Sequence, residues 1–90
     1  MPYVQVPQAW TVETGGNKTV PVAAANVLEA LENLAELFPL VRKRLFTDRG
    51  YIASWVTVSL ESELIPGRAA AETAIGEHET VMVIPAMAGG

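Results

Sequence analysis

The sequence predicts an α+β domain in which one main helix packs on a mixed sheet of four or five strands. Three observations predict it. Segments of two-residue alternation stand near the start, middle and end of the chain. One well-marked amphipathic helix separates the first pair of them from the rest. The resulting order is hairpin, helix, strand, irregular segment, strand, which gives one helical layer to one sheet.

Residues 3–7 alternate apolar and polar side chains, as a short strand does. Thr14-Gly15-Gly16-Asn17 is a turn signal, because glycine and asparagine accept positive φ, and residues 18–22 read as the returning strand of an N-terminal hairpin. Asn26 followed three residues later by Glu29 forms a capping-box pattern at a helix start. Val27, Leu28, Leu31, Leu34, Ala35 and Phe38 then fall on one helical face, with Glu29, Glu32, Asn33 and Glu36 on the other. Pro39 stops that helix near Phe38. Residues 40–46 add a short helical turn anchored by Val41 and Leu45. Thr47-Asp48-Arg49-Gly50 is a second turn.

Residues 51–60 read as a long strand, with Ile52, Val56, Val58 and Leu60 on one face and Trp55, Thr57 and Ser59 on the other. Residues 61–72 contain Pro66-Gly67 and an alanine run, and predict irregular chain with a short edge strand. Residues 80–85 are a final strand, apolar on both faces, which suits a central position or one face awaiting a partner. The first and last strands lying parallel would seat it centrally.

The bulk composition bounds the function. Ninety residues make one domain, and half of them are apolar, enough for one core. The absence of cysteine excludes disulfides, thiolate metal sites and a cysteine nucleophile. Met1-Pro2-Tyr3-Val4 lacks the basic start and long apolar run of a signal peptide, and no segment has the length of a membrane helix. A cytoplasmic domain is expected, with no membrane partner. The net charge of −4 argues against nucleic-acid binding. Four of the six basic residues nevertheless crowd together as Arg42, Lys43, Arg44 and Arg49, either a solvated helix end or a docking patch for an acidic partner.

Side chains suited to catalysis are scarce. His78, the only histidine, stands between Glu77 and Glu79, too few ligands for a metal, and reads as a surface turn residue. Serines 54, 59 and 62 have no evident base. The C-terminal segment is different. Pro85 ends the last strand, because proline cannot donate to a ladder, and Ala86-Met87-Ala88-Gly89-Gly90 follows. The expected organisation is a domain over residues 1–85 and a flexible tail over residues 86–90. Two glycines without side chains can thread a narrow channel and present a bare carboxylate to another enzyme. A carboxylate becomes open to nucleophiles once it is an acyl-adenylate with a good leaving group.

Residues 73–90 close in Thr80-Val81-Met82-Val83-Ile84-Pro85-Ala86-Met87-Ala88-Gly89-Gly90 after a small polar turn, and this resembles the signature ending of the MoaD/ThiS sulfur-carrier family. Thr14-Gly15-Gly16 followed by Lys18, and Arg44-Leu45 ahead of the long strand, are similar in particular to the carrier of the O-phosphoserine-dependent cysteine route. The resemblance implies a β-grasp (ubiquitin-like) fold and a carrier that is not itself an enzyme. It implies no bound cofactor: an E1-like adenylating enzyme uses ATP and magnesium to activate the Gly90 carboxylate. A sulfur donor then yields a thiocarboxylate, which a sulfur-accepting biosynthetic enzyme consumes. By the same resemblance Gly90 supplies the reacting carbon, Gly89 the clearance, Ala88 and Met87 the tail contacts, and Ile84 a partner contact. The free form is expected to be monomeric.

Two departures from the family pattern bear on geometry. Where Asp-Gly commonly precedes the last strand this chain has His78, which predicts a left-handed His78. Where many members have Val-Asn before a turn it has Val58-Ser59. Met82 and Ile84 should point away from Val81 and Val83, and Trp55 and Trp10 could extend an apolar docking patch there. Two further functions fit the same residues: a ubiquitin-like modifier conjugated to lysines, and a non-reactive β-grasp interaction module.

Overall fold

The structure, a computed structural model, describes residues 1–85. The chain runs through β1 (Tyr3–Gln5), β2 (Thr19–Pro21), α1 (Val27–Leu37), α2 (Pro39–Leu45), β3 (Val56–Leu60), β4 (Glu63–Ile65) and β5 (Thr80–Pro85). The five strands form one mixed sheet in the order β2-β1-β5-β3-β4. Strand β5 pairs parallel with β1 and antiparallel with β3, so the last strand is central as its two apolar faces require.

The N-terminal hairpin forms as expected, in shorter strands. Its ladder is continued by Val6 N–H donating to the Lys18 carbonyl at 2.8 Å and Val22 N–H to the Pro2 carbonyl at 2.9 Å. Between the strands, residues Gln8–Trp10 form a 3-10 turn, and Gly15 and Gly16 take the left-handed backbone at φ 65° and 91°. Thr14 is fully buried in this loop, its hydroxyl donating to the Asn17 carbonyl while the Asn17 amide donates back to the Thr14 carbonyl at 2.9 Å.

Helix α1 begins at the predicted cap. Asn26 Oδ1 accepts from Glu29 N–H at 2.8 Å, and the Glu29 carboxylate accepts from Ala25 N–H at 2.9 Å, one residue earlier than in the standard box. Replacing Asn26 by alanine should cost about 1 kcal/mol, read as a lower urea midpoint with an unchanged m-value. The helix buries Val27, Ala30, Leu31, Leu34 and Ala35, while Leu28 and Phe38 lie only partly inside. Pro39 occupies the first turn of α2, where its missing N–H costs nothing, and Val41 and Leu45 anchor α2 to the core.

The inward face of the sheet is a floor of small branched residues. Val20, Val4, Val81 and Leu60 are neighbours across β2, β1, β5 and β3; Val83 and Val58 form the next row. Helix α1 rests on this floor, and α2 packs against α1 with Val41 and Leu45 in the same core.

The long strand expected over residues 51–60 is only half present. Residues 51–55 leave the sheet because Ala53 N–H donates to the Leu45 carbonyl at 2.8 Å, tying this stretch to the end of α2. Thr47 N–H to the Tyr51 carbonyl closes the preceding loop, where Gly50 takes φ 85°. Trp10 is also corrected: it is 3% exposed and belongs to the core, so it extends no surface patch. No helix among the described residues is long and apolar enough to cross a membrane.

Candidate functional site

Strand β5 is held at its start from both sides. Tyr3 N–H donates to the Glu79 carbonyl at 3.0 Å, and Glu61 N–H to the Thr80 carbonyl at 3.0 Å. The Glu61 carboxylate in turn accepts from Thr80 N–H at 2.7 Å. Glu61 opens the two-residue loop between β3 and β4 and is left-handed, φ 58°. A two-residue hairpin loop needs positive φ at its first position, so this residue carries the strain.

His78 does not. Its φ is not positive, which corrects the sequence reading. The turn over residues 76–79 closes without a left-handed residue, through Glu79 N–H to the Gly76 carbonyl at 3.2 Å and Gly76 N–H to the Glu79 carboxylate. His78 is exposed, as expected of a surface turn residue. The Val58-Ser59 departure has a simple outcome: Ser59 stays in the strand opposite Leu64, and the turn falls two residues later.

The strain and the hydrogen bond at Glu61 separate by mutation. Glu61→Ala keeps the left-handed backbone and loses the carboxylate, and should destabilise by about 1–2 kcal/mol. Glu61→Gly loses the same bond but relieves roughly 1 kcal/mol of left-handed strain, and should lie close to wild type. Chemical denaturation of the pair checks the order.

Along β5 the side chains divide as predicted. Val81 and Val83 face the core; Met82 is half-buried and Ile84 is 41% exposed on the outward face. That face is a shallow mixed surface. Gln5, Met82, Ser59 and Leu64 form a continuous row from β1 to β4, and Ile84 sits beside Thr57 in the next. Leu64 is 67% exposed, the most open apolar residue of the row, and Tyr3 lies on the same face further back. Sequence reasoning placed Met82 and Ile84 here and missed Leu64. The Glu63-Leu64-Ile65 alternation marks one residue as outward, and only the pairing with Ser59 shows which side of the sheet that is.

Strand β5 ends at Pro85, paired with Val56 at the start of β3. Trp55, the residue before Val56, therefore stands next to the place where the chain leaves the sheet. Its indole N–H donates to the Arg44 carbonyl at 3.0 Å, satisfying one of the orphan acceptors at the end of α2. Of the predicted site residues, Ile84 is on the described surface. Met87, Ala88, Gly89 and Gly90 lie outside the described residues.

The basic cluster is partly consumed by local contacts. Arg44 pairs with Glu13 and lies 5.8 Å from the centre of the Trp10 ring, tying the hairpin loop to α2. Arg42 pairs with Glu36 at 3.1 Å in an exposed contact. Lys43 and Arg49 make no ion pair among the described residues. Among those residues, too, no three histidine or carboxylate side chains are grouped as a metal ion would need.

This architecture, a mixed five-stranded sheet with the last strand central and parallel to the first beneath one main helix, is the β-grasp or ubiquitin-like fold. Among solved structures it is similar to a chain of the BexX/CysO complex of Amycolatopsis orientalis, with TM-score 0.86 and 24% identity over 100% of both chains. CysO of Mycobacterium tuberculosis matches with TM-score 0.84 and 21% identity, over 97% of this chain and 100% of that one. SAMP1 of Haloferax volcanii matches with TM-score 0.84 and 23% identity, over 99% and 98%. No protein-family model matches the chain, and no curated protein does. The β-grasp fold implied by the resemblance of residues 73–90 to the MoaD/ThiS family is thus met over the described residues.

Proposed function

We propose that this protein is a ubiquitin-like sulfur carrier whose reactive group is the carboxylate of Gly90. One observation carries the proposal: the segment ending in Gly89-Gly90 follows directly from the central strand of a β-grasp sheet. The neighbours named CysO share that fold over nearly their full lengths, and one of them is in a complex with BexX.

The carrier itself needs no acid, base or metal. An E1-like enzyme supplies ATP and magnesium; a Gly90 carboxylate oxygen attacks the α-phosphorus and pyrophosphate leaves, giving an acyl-adenylate. Hydrosulfide from a sulfide source attacks the activated carbonyl, AMP departs, and loss of the S–H proton leaves a terminal thiocarboxylate. Such a group is a soft anion that reacts without an activating base, which accounts for sulfur handling by a cysteine-free chain. A biosynthetic enzyme then takes the sulfur. The outward face of the sheet, with Ile84, Met82 and Leu64, is the docking surface for these enzymes, and Met87 and Ala88 make the tail contacts inside them.

Intact-protein mass spectrometry tests the reading. Incubation with an E1-like enzyme, ATP, magnesium and a sulfide source should add the mass difference of one sulfur replacing one oxygen. A panel of such enzymes that leaves the mass unchanged refutes it. A second reading is favoured by the likeness to SAMP1, called a small archaeal modifier protein. As a modifier the same adenylate would be passed to lysine amines, and conjugates of higher mass would appear in cell extracts in place of the thiocarboxylate.

A further inference from the structure

A groove beside the exit of β5 combines aromatic surface with positive charge. It is lined by Arg42, Lys43, Phe46, Thr47, Asp48 and Trp55. Trp55 is 49% exposed, although its indole N–H is held by the Arg44 carbonyl. Capping that carbonyl uses only the N–H and orients the ring, about half of which stays open to solvent. The neighbouring Lys43 has no ion-pair partner among the described residues, and the Arg42–Glu36 pair is exposed and hence readily exchanged. A held aromatic ring sharing one groove with an unpaired lysine and an exposed arginine is the composition of an interface anchor.

We propose that this groove binds an acidic segment of the protein that acts on the C-terminal carboxylate. The proposal rests on the sulfur-carrier reading and names a partner surface for it. Position is the first argument. The five residues after Pro85 span at most about 16–18 Å, so a protein holding Gly90 must approach that closely to the end of β5. Pro85 is paired with Val56, the neighbour of Trp55, which puts the groove within that radius. Charge is the second. The chain carries a net −4, and the unpaired Lys43 beside the exposed, exchangeable Arg42 favours an acidic segment at this place and orients its owner around the tail. Asp48 is the acidic side chain in the lining and offsets part of its positive charge.

The test uses the E1-like enzyme that thiocarboxylates the wild-type chain, with adenylation followed by ATP–pyrophosphate exchange. Lys43→Glu and Arg42→Glu, both at exposed positions, should raise the KM for the carrier about tenfold or more with kcat little changed. Added salt should raise the wild-type KM more than that of Lys43→Glu. In carrier labelled with 5-fluorotryptophan, the Trp55 fluorine resonance, assigned with Trp55→Phe, should move on addition of enzyme while that of Trp10 stays. Unchanged KM and an unmoved Trp55 signal would overturn the groove while leaving the carrier reading intact. Absence of adenylation in wild type would remove both. A shift of the Trp55 resonance in free protein truncated after Pro85 would show that the chain's own tail fills the groove, and would also overturn the proposal.

Discussion

Deletion of Gly90 should lower the rate of adenylation by more than about 100-fold while leaving the thermal unfolding of the domain unchanged. The truncated chain still ends in a carboxylate, that of Gly89, but the reacting carbon is set back by one residue, about 3.3–3.6 Å. A misplacement of roughly 1 Å at a reacting centre already costs on the order of 100-fold. The second half of the expectation follows from the described fold, whose sheet and core are built from residues 1–85. Gly89→Val should give a loss of similar order for a different reason: on the carrier reading, a branched side chain would then block the narrow channel through which the tail is threaded. Mass spectrometry for the adenylate or thiocarboxylate, beside a circular-dichroism melt, separates lost chemistry from lost folding. Full activity in the Gly90 deletion would move the function away from the tail and toward the interaction-module reading.

The largest effect on stability is expected from Leu34→Ala. Leu34 lies fully buried on the core face of α1. Removing its isobutyl group costs about 2–5 kcal/mol, through lost transfer energy and the cavity left behind. A small domain holds roughly 5–15 kcal/mol in all, so the melting temperature should fall by on the order of 10–30 °C. Leu28→Ala, on the half-exposed flank of the same helix, should fall by a fraction of that. Comparable losses at the two positions would contradict the helix orientation.

Much of the fold can be read from the sequence because its signals are local. The Asn26 cap, the 3.6-residue spacing from Val27 to Ala35 and the stop at Pro39 each act within one or two helical turns, and each is found where expected. The central place of β5 is also legible, since a strand apolar on both faces has few other homes. What escaped depends on contacts between distant segments. Residues 51–55 have strand-like side chains, and only the Leu45 carbonyl, remote in sequence terms from a strand pattern, draws Ala53 out of the ladder. Trp10 looks like a surface aromatic beside a glycine turn until the hairpin loop folds over α2 and Arg44 covers its ring. The family resemblance points to a left-handed residue at His78, whereas the length of the β3–β4 loop assigns it to Glu61. Of the candidate site, the outward orientation of Ile84 followed from alternation alone. The groove at Trp55 was visible only as a run of basic residues, since nothing in the sequence brings residues 42–48 to residue 55.

The placement of β5 has a mechanical consequence. An enzyme that draws in the residues after Pro85 tugs on a strand zipped to β3 on one edge and to β1 on the other. With β3 antiparallel and β1 parallel, a tug along the strand axis strains many cross-strand bonds together and does not peel them one at a time. An outer strand such as β2 or β4, bonded along one edge, would give way far more easily. In the carrier proposed above, the domain would therefore act as a stiff handle that stays folded while its end is drawn into an enzyme and withdrawn.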